Sequence, residues 1–594
     1  MAYRAPVEDI RFTLKTAAGL AEMRSKGALE GVDDDLIGSV LQGAAAFAEQ
    51  ELAPIDATGD KAGSRLEGGK VATPPGWKDA YDRFIAGGWS SLSGSEAFGG
   101  QHLPHVLASS AIEIWCGANL AFGLCPLLTQ GAVEAIQQAG SEELKQRYLP
   151  AMISGRWAGT MNLTEPHAGT DLGMLRTRAV PQADGTYRIF GTKIFITYGD
   201  HEMTENVIHL VLARLPDAPA GTRGISLFLV PKYLLNPDGS RGARNDLRAE
   251  RLEQKLGIHA SPTCVMSYGE QGGGAVGWLV GEANRGLNHM FVMMNRARLD
   301  VGMQGVAVAE RATQRAVAYA NERKQGRSER TPAGQMAPIV EHPDVRRNLI
   351  TMRALTAAGR AICLATAREI DLSERAAQAG DRAAASNRLA LLTPVAKSFA
   401  TDGAVEVASI GIQVHGGMGF IEDTGAAQHY RDARILPIYE GTNGVQAIDL
   451  VTRKLPLENG AVLRQVVQEW AHVAADLQAS NAPGFDRMAD RLQGCIKALT
   501  GASEWMGAAL RTSPQAALAG ATPYQRLLGI TAGTALLCKG ALAASRSATP
   551  HAARQVSIAR FFADTLSPQA DGLARTVVEG ADAVLSADAG LLST

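Results

Sequence analysis

The chain has 594 residues, 46% hydrophobic and 20% charged, and Lys+Arg 58 against Asp+Glu 60 leaves a net charge of -2. That length holds roughly three to four domain-sized units with large cores. The charge balance argues against a partner captured by bulk electrostatics, such as duplex DNA or an anionic membrane. Six cysteines (Cys116, Cys125, Cys264, Cys363, Cys495, Cys538) are scattered with no C-x-x-C pair. They read as reduced, mostly buried thiols of a cytosolic protein. The opening "MAYRAPVEDIRFTLK" is charged and is no secretory signal. No apolar run reads as long enough to span a bilayer, so the expectation is a soluble, cytoplasmic protein.

In chain order, residues 1–34 read as an N-terminal extension and 35–155 as a helical domain broken by turn-rich stretches such as "SLSGSEAFGGQHLP". From 156 to 290 the texture is that of a β domain. "TYRIFGTKIFIT", "VIHLVLARL" and "GISLFLVPKYLL" are β-branched and aromatic runs punctuated by Gly, Pro and Asp. "NPDGSRGARND" and "GEQGGGAVG" read as exposed loops within it.

Residues 291–460 return to helix. The first helix is expected to stop at Gly326, the second to begin at Pro343 as a first-turn proline, and the third to cover "LALLTPVAKSFATDGAVEVASIGIQVHG". Residues 461–594 form a further Ala-rich helical extension. In it Leu463, Val466, Trp470, Val473 and Leu477 recur at helical spacing, so one stripe must be buried. The fold class is α+β and multi-domain: helical, then β, then helical twice.

Several chemistries lack their sequence signatures. There is no G-x-S-x-G elbow and no G-x-x-x-x-G-K-[ST] phosphate loop. "HEMTE" at 201–205 places Glu205 where a zinc motif needs its second histidine. "GGGAVG" at 272–277 matches G-x-G-x-x-G by letter but runs into "WLVG" and not into a helix.

Three stretches carry the positive signal. "MNLTEPHAGTDLGMLRTRA", from Met161, is a polar loop before the strands, which a plain turn also explains. In "GTKIFITYG", Phe195 and Thr197 fall on one side of a strand, an aromatic face beside a hydroxyl that core packing equally produces. "ILPIYEGTNGVQ" plants Glu440 at the edge of an apolar run, immediately before Gly441.

"LTEPHAGTD", "GTKIFITYG", "QVHGGMGF", "RDARILPIYEGTNGVQ" and a long helix ending in "ERKQG" together resemble the acyl-CoA dehydrogenases, in the family's order and over roughly residues 80–460. The added C-terminal segment resembles a long subgroup that includes 3-(methylthio)propanoyl-CoA dehydrogenases. The resemblance implies an N-terminal helical domain, a β-barrel-like middle domain, a four-helix-bundle domain and an extra helical domain.

It also implies FAD, an acyl-CoA substrate of short or medium chain, electron-transfer flavoprotein as acceptor, and a homodimer. Glu440 is the implied base, with Ile438 and Tyr439 excluding water around it and Gly441 letting the backbone approach the ligand. Met161, Leu163, Thr164, Phe195 (for the usual tryptophan), Thr197, Arg323, Gln413, Gly416, Gly417 and Thr442 are implied for FAD. Thr170, Asn295, Arg298, Tyr439 and Gly441 are implied for substrate. His167 and Gly326 depart from the family's pattern. An oxygen-using acyl-CoA oxidase and a DNA-binding flavoprotein relative are the alternative readings, the second disfavoured by a C-terminal segment that is not basic.

Overall fold

A computed structural model describes residues 2–593 except Ala333. The N-terminal part builds helices α1 (Val7–Thr13), α2 (Leu20–Ser25), α3 (Asp34–Phe47) and α4 (Ala53–Ala62). The hairpin β1 (Arg65–Glu67) and β2 (Lys70–Ala72) follows, then α5 (Trp77–Ala86), α6 (His105–Ala118), α7 (Leu120–Ala139) and α8 (Glu142–Ile153). Local chemistry sets several starts: Asp33 and Ser141 each cap a helix by accepting from a main-chain N–H three residues on. The small hairpin was not expected in a region of helical texture.

The β domain comprises β3 (Trp157–Asn162), β4 (Arg178–Pro181), β5 (Tyr187–Thr197), β6 (Asn206–Arg214), β7 (Ile225–Pro231), β8 (Tyr233–Leu235), β9 (Arg241–Arg244), β10 (Leu247–Leu252), β11 (Thr263–Tyr268) and β12 (Ala275–Val280). The main sheet runs β10-β11-β5-β12-β7-β6-β3, and β4 pairs with both β5 and β6. That second pairing closes β5, β12, β7, β6 and β4 into a ring, which is the barrel-like form. Along β6, Val211 and Ala213 pack inward with Phe228 and Val230, while Ile208, Leu210 and Leu212 pack outward against α7, α8 and the start of the next helix. A strand covered on both faces reads as the near-continuous apolar run seen in the sequence. Two expected loops are partly strand: Arg241–Arg244 is β9, and "GEQGGGAVG" runs into β12 at Ala275.

Three long helices follow: α9 (Gly286–Glu322), α10 (Pro343–Arg375) and α11 (Ala379–His415). Helix α9 ends at Glu322, four residues before the expected stop at Gly326, because Arg323 leaves the helical conformation and its carbonyl accepts from Ile339. Helix α11 starts ten residues before the expected stretch and carries Pro394 inside it. Short α12 (Ala426–Ala433) and α13 (Asn443–Asp449) complete this part, and Asp432 joins it to the β domain by accepting from the Ile258 N–H at 2.6 Å.

The extension forms α14 (Ala461–Ala479), α15 (Phe485–Thr512), α16 (Pro514–Ala519), α17 (Ala521–Ala544), α18 (Pro550–Phe561) and α19 (Gln569–Glu579). The expected stripe on α14 is inside, with Val473 half-buried. Helices α10 and α17 are long and apolar enough to cross a membrane by length and composition, which corrects the expectation that no such run exists. Both lie mostly inside the protein, 72% and 78% buried over those windows. The N-terminal helix joins the extension, since His551 and Gln555 bond the Asp9 carboxylate at 2.8 and 2.7 Å. All six cysteines are free and buried.

Candidate active site

Residues 437–443 form a tight loop closed by the Asn443 N–H donating to the Pro437 carbonyl at 3.0 Å. Inside it Glu440 and Gly441 adopt φ of 55° and 85°. Two consecutive left-handed residues cost about 1–2 kcal/mol for the one that is not glycine. Such strain persists where the surroundings over-determine it, and it gathers at functional sites. Here three side chains fix the turn. Gln446 Nε2 donates to the Glu440 carbonyl at 3.4 Å, Lys397 Nζ donates to the Gly441 carbonyl at 3.0 Å, and the Thr442 hydroxyl caps α13 by accepting from the Val445 N–H at 3.3 Å.

Glu440 as a whole is half-buried. Burial of its carboxyl raises its pKa above the ordinary carboxylate range, while Arg298 and then Lys397 restrain the rise. Ile438 does not shield it, being 44% exposed. Tyr439 turns its hydroxyl inward and donates to Gln304 on α9, while the charges that act on the Glu440 carboxyl come from Arg298 on α9 and Lys397 on α11. Among the described residues no acceptor takes the Glu440 main-chain N–H. Arg298 is buried, bonds Asn295 Oδ1 through Nη1 at 3.0 Å and lies 5.9 Å from the Phe291 ring centre. Its Nε, Gln446 Oε1 and Gln304 Nε2 are buried without partners among the described residues. Unpaired buried polar atoms around one turn mark a place for a polar ligand.

The second group lies on the barrel. Met161 is buried on β3, and Leu163 and Thr164 follow it half-buried. Their carbonyls accept from Lys193 Nζ and the Ile194 N–H, both at 2.9 Å, which lays the loop along β5. Glu165 ties the far side of the loop by accepting from the Arg176 and Thr177 main chain and from Lys193. Burial pulls the Lys193 pKa down to about 8 against the opposing pull of Glu165.

Phe195 and Thr197 lie on either side of buried Ile196 near the end of β5. The pairing of β5 with β11 shifts register between Cys264 and Met266, and Phe195 sits in the resulting bulge at φ 61°. Phe195 is 60% exposed, and Thr197 is half-buried. A bare aromatic ring on a barrel rim, beside a loop of small and hydroxyl residues, fits a planar heterocycle.

Arg323, Gln413, Gly416 and Gly417 stand apart from both groups, at the C-terminal ends of α9 and α11, which Tyr319 and His415 join by stacking at 4.4 Å. Arg323 is exposed with no ion-pair partner among the described residues, and a Cβ on either glycine would meet nothing within 4 Å. An unpaired guanidinium near an open glycine pair suits a pyrophosphate. Thr170 is exposed, and the structure gives it no bond to either group.

Models of the acyl-CoA dehydrogenase N-terminal, middle and C-terminal domains match residues 39–156, 160–270 and 284–455, and the acetyl-CoA dehydrogenase C-terminal like model matches 464–588. The chain is 47% identical over 544 residues to a 3-methylmercaptopropionyl-CoA dehydrogenase of Ruegeria pomeroyi, covering 92% of each chain.

The chain belongs to the acyl-CoA dehydrogenase family.

The enzyme is also 35% identical to the broad-specificity linear acyl-CoA dehydrogenase FadE5 of Mycobacterium tuberculosis, over 84% of each chain. An acyl-CoA dehydrogenase of Bacillus anthracis complexed with FAD has the same fold at a TM-score of 0.73 and 19% identity, covering 95% of this chain and 90% of that one. The enzyme uses FAD, as its family does, and the bare Phe195 ring with the Met161–Thr164 loop agrees with that cofactor. The sequence signal did not reach Lys397, Asn443, Gln304 or Gln446. Asn443 and Gln446 stand within the stretch that marks Glu440, but their bonds to the turn, like the approach of Lys397 and Gln304 from two distant helices, are visible only in the fold.

Proposed function

We propose that the enzyme desaturates an acyl-CoA thioester between its α and β carbons, giving the trans-2-enoyl-CoA. Glu440 takes the α proton. Its buried carboxyl is a stronger base than an exposed glutamate, and a base of raised pKa lowers the barrier to removing so weakly acidic a proton. The unpartnered Glu440 N–H is available to the thioester oxygen, where negative charge grows as the proton leaves. Arg298 holds the base in its ionised form before substrate arrives. Bound FAD supplies the acceptor for the hydride that leaves the β carbon. Electron-transfer flavoprotein then takes up the electrons, and the working unit is a homodimer, which would cover exposed Phe420 and Ile421.

The single observation that carries this reading is Glu440, held in a strained turn with a desolvated carboxyl and a free N–H. The similarity to the Ruegeria pomeroyi enzyme supports 3-(methylthio)propanoyl-CoA, or another short to medium acyl-CoA, as substrate. An anaerobic titration of the flavin-bound enzyme against straight-chain and 3-thioether acyl-CoAs tests it. The expected result is stoichiometric bleaching of the flavin band, with the thioether substrate among the fastest. A flavin unaffected by every member of the panel would refute the proposal.

A further inference from the structure

Lys397 lies in the middle of α11 with no exposed surface. A buried ammonium needs acceptors, and it has two. Its Nζ donates to the Gly441 carbonyl at 3.0 Å and to Asn443 Oδ1 at 2.8 Å. Asn443 is itself buried and spends its amide on the same helix, reaching Thr401 Oγ1 at 3.0 Å and Asp402 Oδ1 at 2.7 Å. Its main-chain N–H closes the 437–443 loop. Both ends of the strained Glu440–Gly441 turn are therefore held by one lysine and by the asparagine bonded to it.

We propose that Lys397 is a positioning residue for the catalytic base, pinning the turn through Gly441 and Asn443 and setting a positive charge against the Glu440 carboxylate. The assignment rests on the reading of Glu440 as the base.

The charged groups around the ammonium are few. Asp402 on the same helix and Glu440 on the turn favour its protonated form, and Arg298 on α9 opposes it. Burial, with Arg298 acting in the same direction, outweighs the two carboxylates and brings its pKa down to about 7. Asp402 in turn feels Arg526 from α17 and Arg434. Helix α17 also holds α11 just upstream of Lys397, where Gln525 Nε2 donates to the Pro394 carbonyl at 3.2 Å. The C-terminal extension thus backs the helix that positions the base.

A lysine that served only to pack α11 would affect stability without changing how the base titrates. A lysine that acts on Glu440 moves the acid limb of the reaction. Removing its charge makes the carboxylate easier to protonate, so the limb shifts to higher pH.

The test is the pH profile of anaerobic single-turnover flavin reduction, with flavin content and melting temperature recorded for each variant. In Lys397→Met the acid limb is expected to rise by about one pH unit or more, and the limiting rate to fall about tenfold or more as the turn loosens. Lys397→Arg, which keeps charge and donors, is expected to keep the limb near its wild-type position. An unmoved limb in a folded, flavin-bound Lys397→Met overturns the assignment while leaving Glu440 as the base. A wild-type flavin that no acyl-CoA reduces overturns both. If Lys397→Met does not fold, Asp402→Asn decides, because removing that carboxylate weakens the proton affinity of Lys397. Its limb should move upward too, and an unchanged one overturns the proposal.

Discussion

The side-chain amide of Gln446 donates to the main-chain carbonyl of Glu440 at 3.4 Å, bonding the first helical turn after the base back onto the base's own peptide. The same amide limits what can stand at 441. A Cβ there would come within 2.8 Å of Gln446 Nε2, at a φ of 85° that side chains avoid. Gly441→Ala should therefore displace the turn.

The expected result for Gly441→Ala is normal flavin content, a stability loss of about 1–2 kcal/mol and a fall in kcat of about 10- to 100-fold. Steady-state kinetics beside a denaturation curve read both numbers. Wild-type kcat in this variant would show that the turn does not set the reaction geometry.

Arg298 is the strongest influence holding the Glu440 carboxyl in its ionised form. Arg298→Gln removes that influence, so the pKa of Glu440 rises further and the acid limb of kcat/KM moves to higher pH. At pH 6 the variant should lose a larger share of activity than at pH 8. A pH series with one acyl-CoA measures this, and parallel profiles for variant and wild type would contradict it.

Asp432 bridges the β domain and the helices, and burial raises its pKa from 3.8 to about 8. A carboxyl whose pKa is raised by folding binds its proton more tightly in the native state, so stability falls as pH rises. Its contribution is whole below about 4 and is lost progressively up to about 8. Asp432→Asn, always neutral, should flatten this dependence, gaining melting temperature relative to wild type at pH 8 and little at pH 5. Equal pH dependence in both proteins would show that the carboxyl is ionised in the folded state.

Arg360 is buried between Glu113 and Glu310, with contacts at 2.6 and 3.0 Å. Arg360→Met leaves two carboxylates inside the protein without their cation. The expected cost is about 3–5 kcal/mol in chemical denaturation of the flavin-bound enzyme, a far larger loss than truncating the exposed pair Arg554 and Glu8 would cause.

Much of this molecule can be read from local pattern. The strands of the barrel show themselves in "VIHLVLARL" because β6 is covered on both faces, and Glu440 is marked by its place before Gly441 within an ordered set of motifs. What escapes is what depends on long-range register. The bulge that holds Phe195 at a positive φ arises from pairing with a strand some 70 residues later, and nothing in "KIFIT" announces it. Ile438, apolar and beside the base, faces outward because the loop closes on itself through Asn443. Lys397 sits in an Ala-rich helix with no local sign of burial, and the acceptors for its ammonium come from the return of the chain at 441–443. The docking of α1 onto α18 through Asp9 and His551 spans 542 residues and leaves no local trace.

The central claim is that one carboxyl removes the α proton, and Glu440→Gln tests it with almost no change in shape. The measurement is the rate of flavin absorbance loss on anaerobic mixing with the best acyl-CoA of the panel. The predicted result is full flavin content with reduction slowed by about 10²- to 10⁴-fold. Bleaching at the wild-type rate would show that another group does the chemistry.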